Sequence, residues 1–210
     1  MGRTNKPKLD GALGDIFLRS NNPMLLADDD RCYTAANDAS IKLLRFSRDQ
    51  LLKMRIDDVT PPEGLATIDA TWSAFLTTGT LMGSFDVLTG DGRRLNVTFN
   101  ATANVMPGQH LSIFLVDSAS RADMAIHGKL PTAVKCSKKT NGATPRLRPR
   151  ELEILSLLAL GLTGQQIATD LGISRETVRV HIRNAMQTLG AQTRVQAIGL
   201  ALRDGHIALD

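Results

Sequence analysis

The chain is poor in aromatic residues and in cysteine, with one Trp, one Tyr and two Cys among 210 residues. Cys32 and Cys136 stand outside any Cys-x-x-Cys or Cys/His cluster, which argues against a zinc site. Two lone thiols fit a reducing compartment. Cys136 lies among lysines, a setting that lowers a thiol pKa, although an incidental exposed thiol is the plainer reading. No apolar run approaches the roughly 20 residues needed to span a bilayer, and "ILSLLALGL" is too short. The first residues, "MGRTNKPKLDG", lack the apolar core of a signal peptide, and Lys6 stands where myristoylation requires Ser or Thr. A cytoplasmic protein is expected. Also missing are a Ser/His/Asp set, metal-ligand spacing and a Gly-rich phosphate loop. No enzyme is expected, and no catalytic or metal-binding residue is assigned.

Net charge is only +4, and the hydrophobic (42%) and charged (22%) shares are those of an ordinary globular protein. The distribution of charge is uneven. Lysine is missing from 54 to 128. Then Lys129, Lys135, Lys138, Lys139, Arg146, Arg148 and Arg150 follow with no acid before Glu151. Such a run reads as a solvated linker that adds attraction to phosphates. The length allows one or two domains, and three sections of the chain differ. From about Leu13 to Asp117, helix and strand signals are mixed. "LGDIFLRSN" reads as a short amphipathic helix and "PMLLADDDRCYTAAN" as two strands joined by an acidic turn. "ASIKLLRFSRDQLLKM" reads as a helix, and "IDATWSAFLTTG" as another, stopped by Gly79. Leu95, Val97, Phe99, Ala101, Ala103 and Val105 alternate with mostly polar residues, the mark of a half-buried strand. Asp91-Gly92 signals a tight turn before it, and "LSIFLVD" a last strand. The expected class is α+β, an antiparallel sheet with helices. Residues 118–146 read as a flexible basic linker, and everything from Leu147 to Asp210 reads as helix.

Within the helical section, "GISRETVRVHIRNAMQTLG" sets arginines at 175, 179 and 183 between apolar residues. On a helix capped by Ser174, Val178, Ile182, Ala185, Met186 and Leu189 fall on one face. Glu176, Arg179, Val180 and Arg183 fall opposite, with Thr177, His181 and Asn184 along a flank. The short helix "TGQQIATDLG" precedes it, turning Ile167, Ala168 and Leu171 inward, and the longer "PRELEILSLLALG" comes before that. Helix, helix, tight turn, helix is the plan whose second element enters the DNA major groove. A small bundle with a charged outer face is the plainer alternative. Against it, two outward arginines offer forks to guanine O6 and N7, and Val180 offers a surface to the thymine methyl.

From Leu147 to Ile207 the chain closely resembles the LuxR-type helix-turn-helix of bacterial transcription regulators. "PRELEIL", "GLTGQQIA", "LGISRETVRVHI" and "TRVQAI" carry the resemblance. It implies that Arg179, Val180 and Arg183 reach base edges, and that Thr177 and His181 lie close to the DNA backbone. Arg175 and Gln165 complete the expected DNA-binding set. There are departures. Arg148 replaces the Thr that usually caps the first helix. Gln165 and Thr188 stand where lysines are common, so phosphate attraction is expected to be weaker. The last helix, "AQTRVQAIGLALRDG", is apolar on two faces. Ala191, Val195, Ile198 and Leu202 share one; Ala197, Leu200 and Ala201 share the other. The second face is the expected dimer interface, and a two-fold dimer reads a pseudo-palindromic site.

The order helix, hairpin, helices, three strands over Leu13 to Asp117 resembles a PAS sensor domain. Asn37 after the second strand, Gly79 before the third, Asp91-Gly92-Arg93 at the hairpin and Asp117 at the end carry that likeness. No cofactor is assigned: His110 is expected in a turn, and Trp72, Phe75 and Leu76 read as plain core. "LLADDDR" looks like the acidic strand end of a phospho-receiver. The lysine gap, however, removes the phosphoryl-holding Lys, and the strands read as hairpins rather than βα units. The expectation is a homodimeric, sequence-specific regulator that binds double-stranded DNA, with RNA polymerase as a further candidate partner. The alternative is an anti-activator or adaptor whose helix-turn-helix no longer binds DNA.

Overall fold

A computed structural model of the chain describes residues 11–115 and 146–207. The first stretch holds α1 (Gly11–Arg19), β1 (Met24–Asp28), β2 (Tyr33–Ala36), α2 (Asp38–Leu44) and α3 (Arg48–Leu51). A 3₁₀ turn (Ile56–Val59), α4 (Pro62–Thr78), β3 (Thr80–Leu88), β4 (Arg94–Met106) and β5 (Gln109–Leu115) follow. The second stretch holds α5 (Pro149–Ala159), α6 (Gly164–Asp170), α7 (Arg175–Leu189) and α8 (Arg194–Arg203). The five strands form one sheet of order β2-β1-β5-β4-β3, and every neighbouring pair is antiparallel. The element order is the PAS-like one, followed by four helices, so the class is α+β. Among the described residues the parallel βα plan of a receiver is not formed. Asp117, Cys136 and the expected linker, apart from Arg146, lie outside the described residues.

Asn37 shows why its residue type suits the end of β2. Its side chain is fully buried. Oδ1 accepts from the backbone N–H of Met24 (3.0 Å) and of Ser40 (2.9 Å), capping α2. Nδ2 donates to the carbonyls of Ser20 (3.2 Å) and Asn22 (2.8 Å). One amide thereby joins α2, β1 and the α1–β1 connection, a role that needs both donor and acceptor.

Two expectations change here. "ASIKLLRFSRDQLLKM" is not one helix but two. Arg45 ends α2 in the left-handed region (φ 60°), and Ser47 starts α3 with a capping box to Gln50. The break also receives a distant partner. The β3–β4 turn lies on the end of α2, where Gly90 N–H donates to the Leu44 carbonyl at 2.8 Å, an acceptor left open by the stop. His110 is not in a turn; it is a buried residue of β5. Its Nδ1 accepts the Asn104 N–H at 3.2 Å, and its Nε2 faces Asp29 Oδ1 at 3.1 Å. The ring stands edge-on to Trp72 and Phe75, whose centroids are 5.3 and 5.5 Å away.

The two faces of the sheet are covered differently. On the inner face, Leu25, Ala27, Val87, Val97 and Phe114 pack with Leu44, Leu51 and Val59. On the outer face, Met24, Leu26, Leu111 and Ile113 join Ile16 and Phe17 of α1 in a core that continues into the four-helix unit. The alternation of β4 predicts a hydrated polar side, yet Asn100 and Thr102 are only 2% and 1% exposed. The reason is that α8 lies on β4. Residues 20–22 fasten the same contact. Ser20 Oγ donates to the Ala159 carbonyl (2.6 Å), Asn21 N–H to Leu160 (3.0 Å) and Asn22 Nδ2 to Leu158 (3.0 Å). The Ala159 and Leu160 carbonyls are ones that a helix end leaves without partners, while Leu158 also accepts the Gly161 N–H at 2.9 Å.

Arg31, at φ 66° in the β1–β2 turn, clamps the helical side. It forms a two-pronged bond to Asp57 (2.9 and 3.0 Å) and a third contact to Asp69 at 2.9 Å. The Arg31 hydrogen bonds hold the Asp57 carboxyl below the usual aspartate range, with the Arg31 charge adding to them. A lowered carboxyl pKa stabilises the fold above the unfolded value of about 3.9. That support is lost as pH falls through the lower folded value. Asp57→Asn is therefore expected to cost about 1–2 kcal/mol at neutral pH, and its thermal melting curve should converge with that of the parent chain in acid.

Candidate nucleic-acid interface

The four helices are positioned by their ends. Thr163 caps α6, accepting the Gln166 N–H while Gln166 Oε1 accepts the Thr163 N–H at 2.8 Å. Ser174 caps α7, its Oγ accepting the Thr177 N–H at 3.0 Å. Between them, Gly172 adopts φ +62° and Ile173 N–H donates back to the Ala168 carbonyl at 3.0 Å. That turn sets the angle at which α7 leaves α6. Arg148 gives α5 no side-chain cap, as its residue type dictates. Glu151, only 3% exposed, reaches back instead and accepts the Arg148 N–H at 2.9 Å.

Amphipathic packing then orients α7. Val178 and Ala185 are fully buried, and Ile182, Met186 and Leu189 pack against the same core. Arg175, Glu176, Arg179, Val180 and Arg183 are exposed as a consequence, and Val180 is 41% exposed despite its apolar side chain. Arg179 pairs with Glu176 at 3.3 Å, both well exposed, an ion pair that exchanges readily for another partner. Thr177 and His181 lie half-buried along the flank, and His181 Nδ1 has no hydrogen-bond partner among the described residues. Gln165 is exposed on the first turn of α6. Thr188, where a lysine was noted as common, is half-buried on α7. Among the described residues, no group of three or more His, Cys, Asp or Glu side chains is placed to hold a metal ion. No helix among them is long and apolar enough to cross a membrane.

One residue here was counted in the sequence only as part of a basic run. Arg150 donates through Nη2 to the Leu171 carbonyl at 3.1 Å and pairs through Nη1 with Glu153 at 2.6 Å. It ties α5 to the turn that aims α7. The expected dimer face is covered within the single chain. Ala197, Leu200 and Ala201 are 0%, 7% and 0% exposed, enclosed by their own chain because α8 is held between the bundle and β4. In this arrangement they offer nothing to a second copy.

The family model described as bacterial regulatory proteins, luxR family, matches residues 145–201. The spore germination protein GerE of Bacillus subtilis is 48% identical over 65 residues, a match covering 31% of this chain and 88% of GerE. The chain belongs to the luxR family of bacterial regulatory proteins. A second luxR-type relative, the HTH-type transcriptional activator RamA of Corynebacterium glutamicum, is 44% identical over 64 residues. That match covers 30% of this chain but only 23% of RamA. Over most of the length, 91% of this chain and 86% of the other, the Vibrio cholerae VqmA dimer aligns at 20% identity with a TM-score of 0.43. That likeness is too low to carry a conclusion.

The turn of this luxR-type unit yields a clean test. A Cβ on Gly172 would meet nothing within 4 Å, so only its positive φ resists substitution. Gly172→Ala is expected to cost about 1–2 kcal/mol in chemical unfolding, and Gly172→Asn clearly less, because Asn tolerates the left-handed region.

Proposed function

We propose that this chain is a cytoplasmic transcription regulator that binds double-stranded DNA by placing α7 in the major groove. The observation that supports it most is the exposure of Arg179, Val180 and Arg183 on a helix whose opposite side is locked into the core. In this reading Arg179 and Arg183 fork onto guanine edges and Val180 meets a thymine methyl. Thr177, His181, Arg175 and Gln165 contact the phosphate backbone, positioning the helix without reading sequence. Two copies pair through α8 when it is clear of β4, and together read a pseudo-palindromic site. The PAS-like unit receives a signal or supports pairing, and a bound dimer contacts RNA polymerase.

Selection of bound sequences from random DNA, followed by mobility shift over a salt series, tests this. Affinity should fall steeply with salt, as expected when several phosphates are neutralised. On the selected site, Arg179→Ala and Arg183→Ala should each cost about 1–3 kcal/mol and relax specificity at one base pair. Absence of any retarded DNA, or unchanged binding by both variants, would instead favour an adaptor acting through protein contacts.

A further inference from the structure

We propose that the outer face of the sheet and a second copy of this chain compete for α8, so that docking holds the chain monomeric while leaving α7 open. This regulates the site proposed above and rests on that reading in one respect, that two copies pair through α8.

Three observations carry it. First, every residue from Val195 to Leu202 is buried, although the four-helix unit can cover only part of a helix that is apolar on two sides. The remaining cover comes from β4, and it is closely fitted. A Cβ on Gly199 would lie 2.2 Å from Thr102 Oγ1 and 3.2 Å from Thr102 Cβ, so a larger residue there has to turn the Thr102 side chain or ease α8 off the strand. A glycine in the interior of a helix weakens it, which makes this fit a feature rather than an accident of composition.

Second, the fit is made on a polar surface that the contact leaves poorly satisfied. Asn100 Nδ2 is buried without a hydrogen-bond partner. Thr102 Oγ1 and Asn100 Oδ1 are 3.5 Å apart, and Gln196 Nε2 reaches Thr80 Oγ1 only at 3.5 Å. Buried polar groups without good partners oppose the burial. When α8 leaves, water regains Asn100 and Thr102. A strand side built from Asn and Thr suits a surface that is hydrated part of the time; the apolar pairs Met24–Ile113 and Leu26–Leu111 beside it suit permanent cover. Third, the contact leaves the arginine face of α7 exposed. Docking therefore does not block reading of one half-site. It blocks the pairing that lets two half-sites be read together.

The test uses the full chain in a Cys32→Ser, Cys136→Ser background. Thr102→Arg opposes docking without altering α8. The double variant Gly199→Cys, Thr102→Cys locks it, since a Cβ at 199 lies 3.2 Å from Thr102 Cβ and a shift of a few tenths of an ångström reaches disulfide geometry. Sedimentation should give a dimer dissociation constant at least tenfold lower for Thr102→Arg than for the parent. The oxidised lock should give one at least tenfold higher, and reductant should restore it. Equal constants for all three chains would overturn the proposal. So would failure of the cysteine pair to oxidise, because α8 then does not sit on β4 in solution. If Thr102→Arg does not fold, the lock with and without reductant decides alone. Mobility shift separates the two readings: Arg183→Ala should lose DNA without moving the dissociation constant. A chain set that never retards DNA but still shows the shifts in dissociation constant sinks only the DNA reading.

Discussion

The arrangement depends on one constraint, that α8 must be covered on more sides than its own bundle can supply. Val195, Ala197, Ile198, Leu200, Ala201 and Leu202 are all apolar, and the two residues between them that are not, Gln196 and Gly199, face Thr80 and Thr102 of the sheet. A four-helix unit standing free would expose one side of it. Here the cover is the outer face of the sheet, and much else follows. Burial of Asn100 and Thr102, the close approach of Gly199 to Thr102, and the anchoring of residues 20–22 on the end of α5 all belong to the same contact. The helix that carries the arginines is left out of it. Val178 and Ala185 hold α7 from within the bundle, so its outer face is set by the luxR-type unit alone.

Local sequence was most legible where one period decided the answer. The stripe Val178, Ile182, Ala185, Met186, Leu189 fixed which side of α7 turns outward, and its Ser174 cap was readable from residue type. The alternation of β4 named its inner side in the same way, through Val97, Ala101 and Ala103. Asn37, marked only by likeness to PAS domains, has a four-bond explanation in the structure.

What escaped the sequence was set at long range. A polar alternate side on β4 reads as hydrated until a helix from the far end of the chain is laid over it. The open Leu44 carbonyl at the end of α2 finds its donor in Gly90, in a turn far along the chain. His110 was displaced from its expected turn because "VMPGQH" makes a tighter turn than it suggests. β4 runs to Met106 and β5 starts at Gln109. Arg150 was hidden for a different reason. Its charge fitted a solvated basic run so well that its bond to the Leu171 carbonyl left no trace in composition or spacing.

The amide of Asn37 touches more than α2. It holds the carbonyls of Ser20 and Asn22, and those two side chains in turn hold the last carbonyls of α5. Three residues therefore form a hydrogen-bonded relay from the first turn of α2 to the last turn of α5, in the frame of the helix-turn-helix. Displacing α2 relative to α5 strains or breaks bonds of this relay.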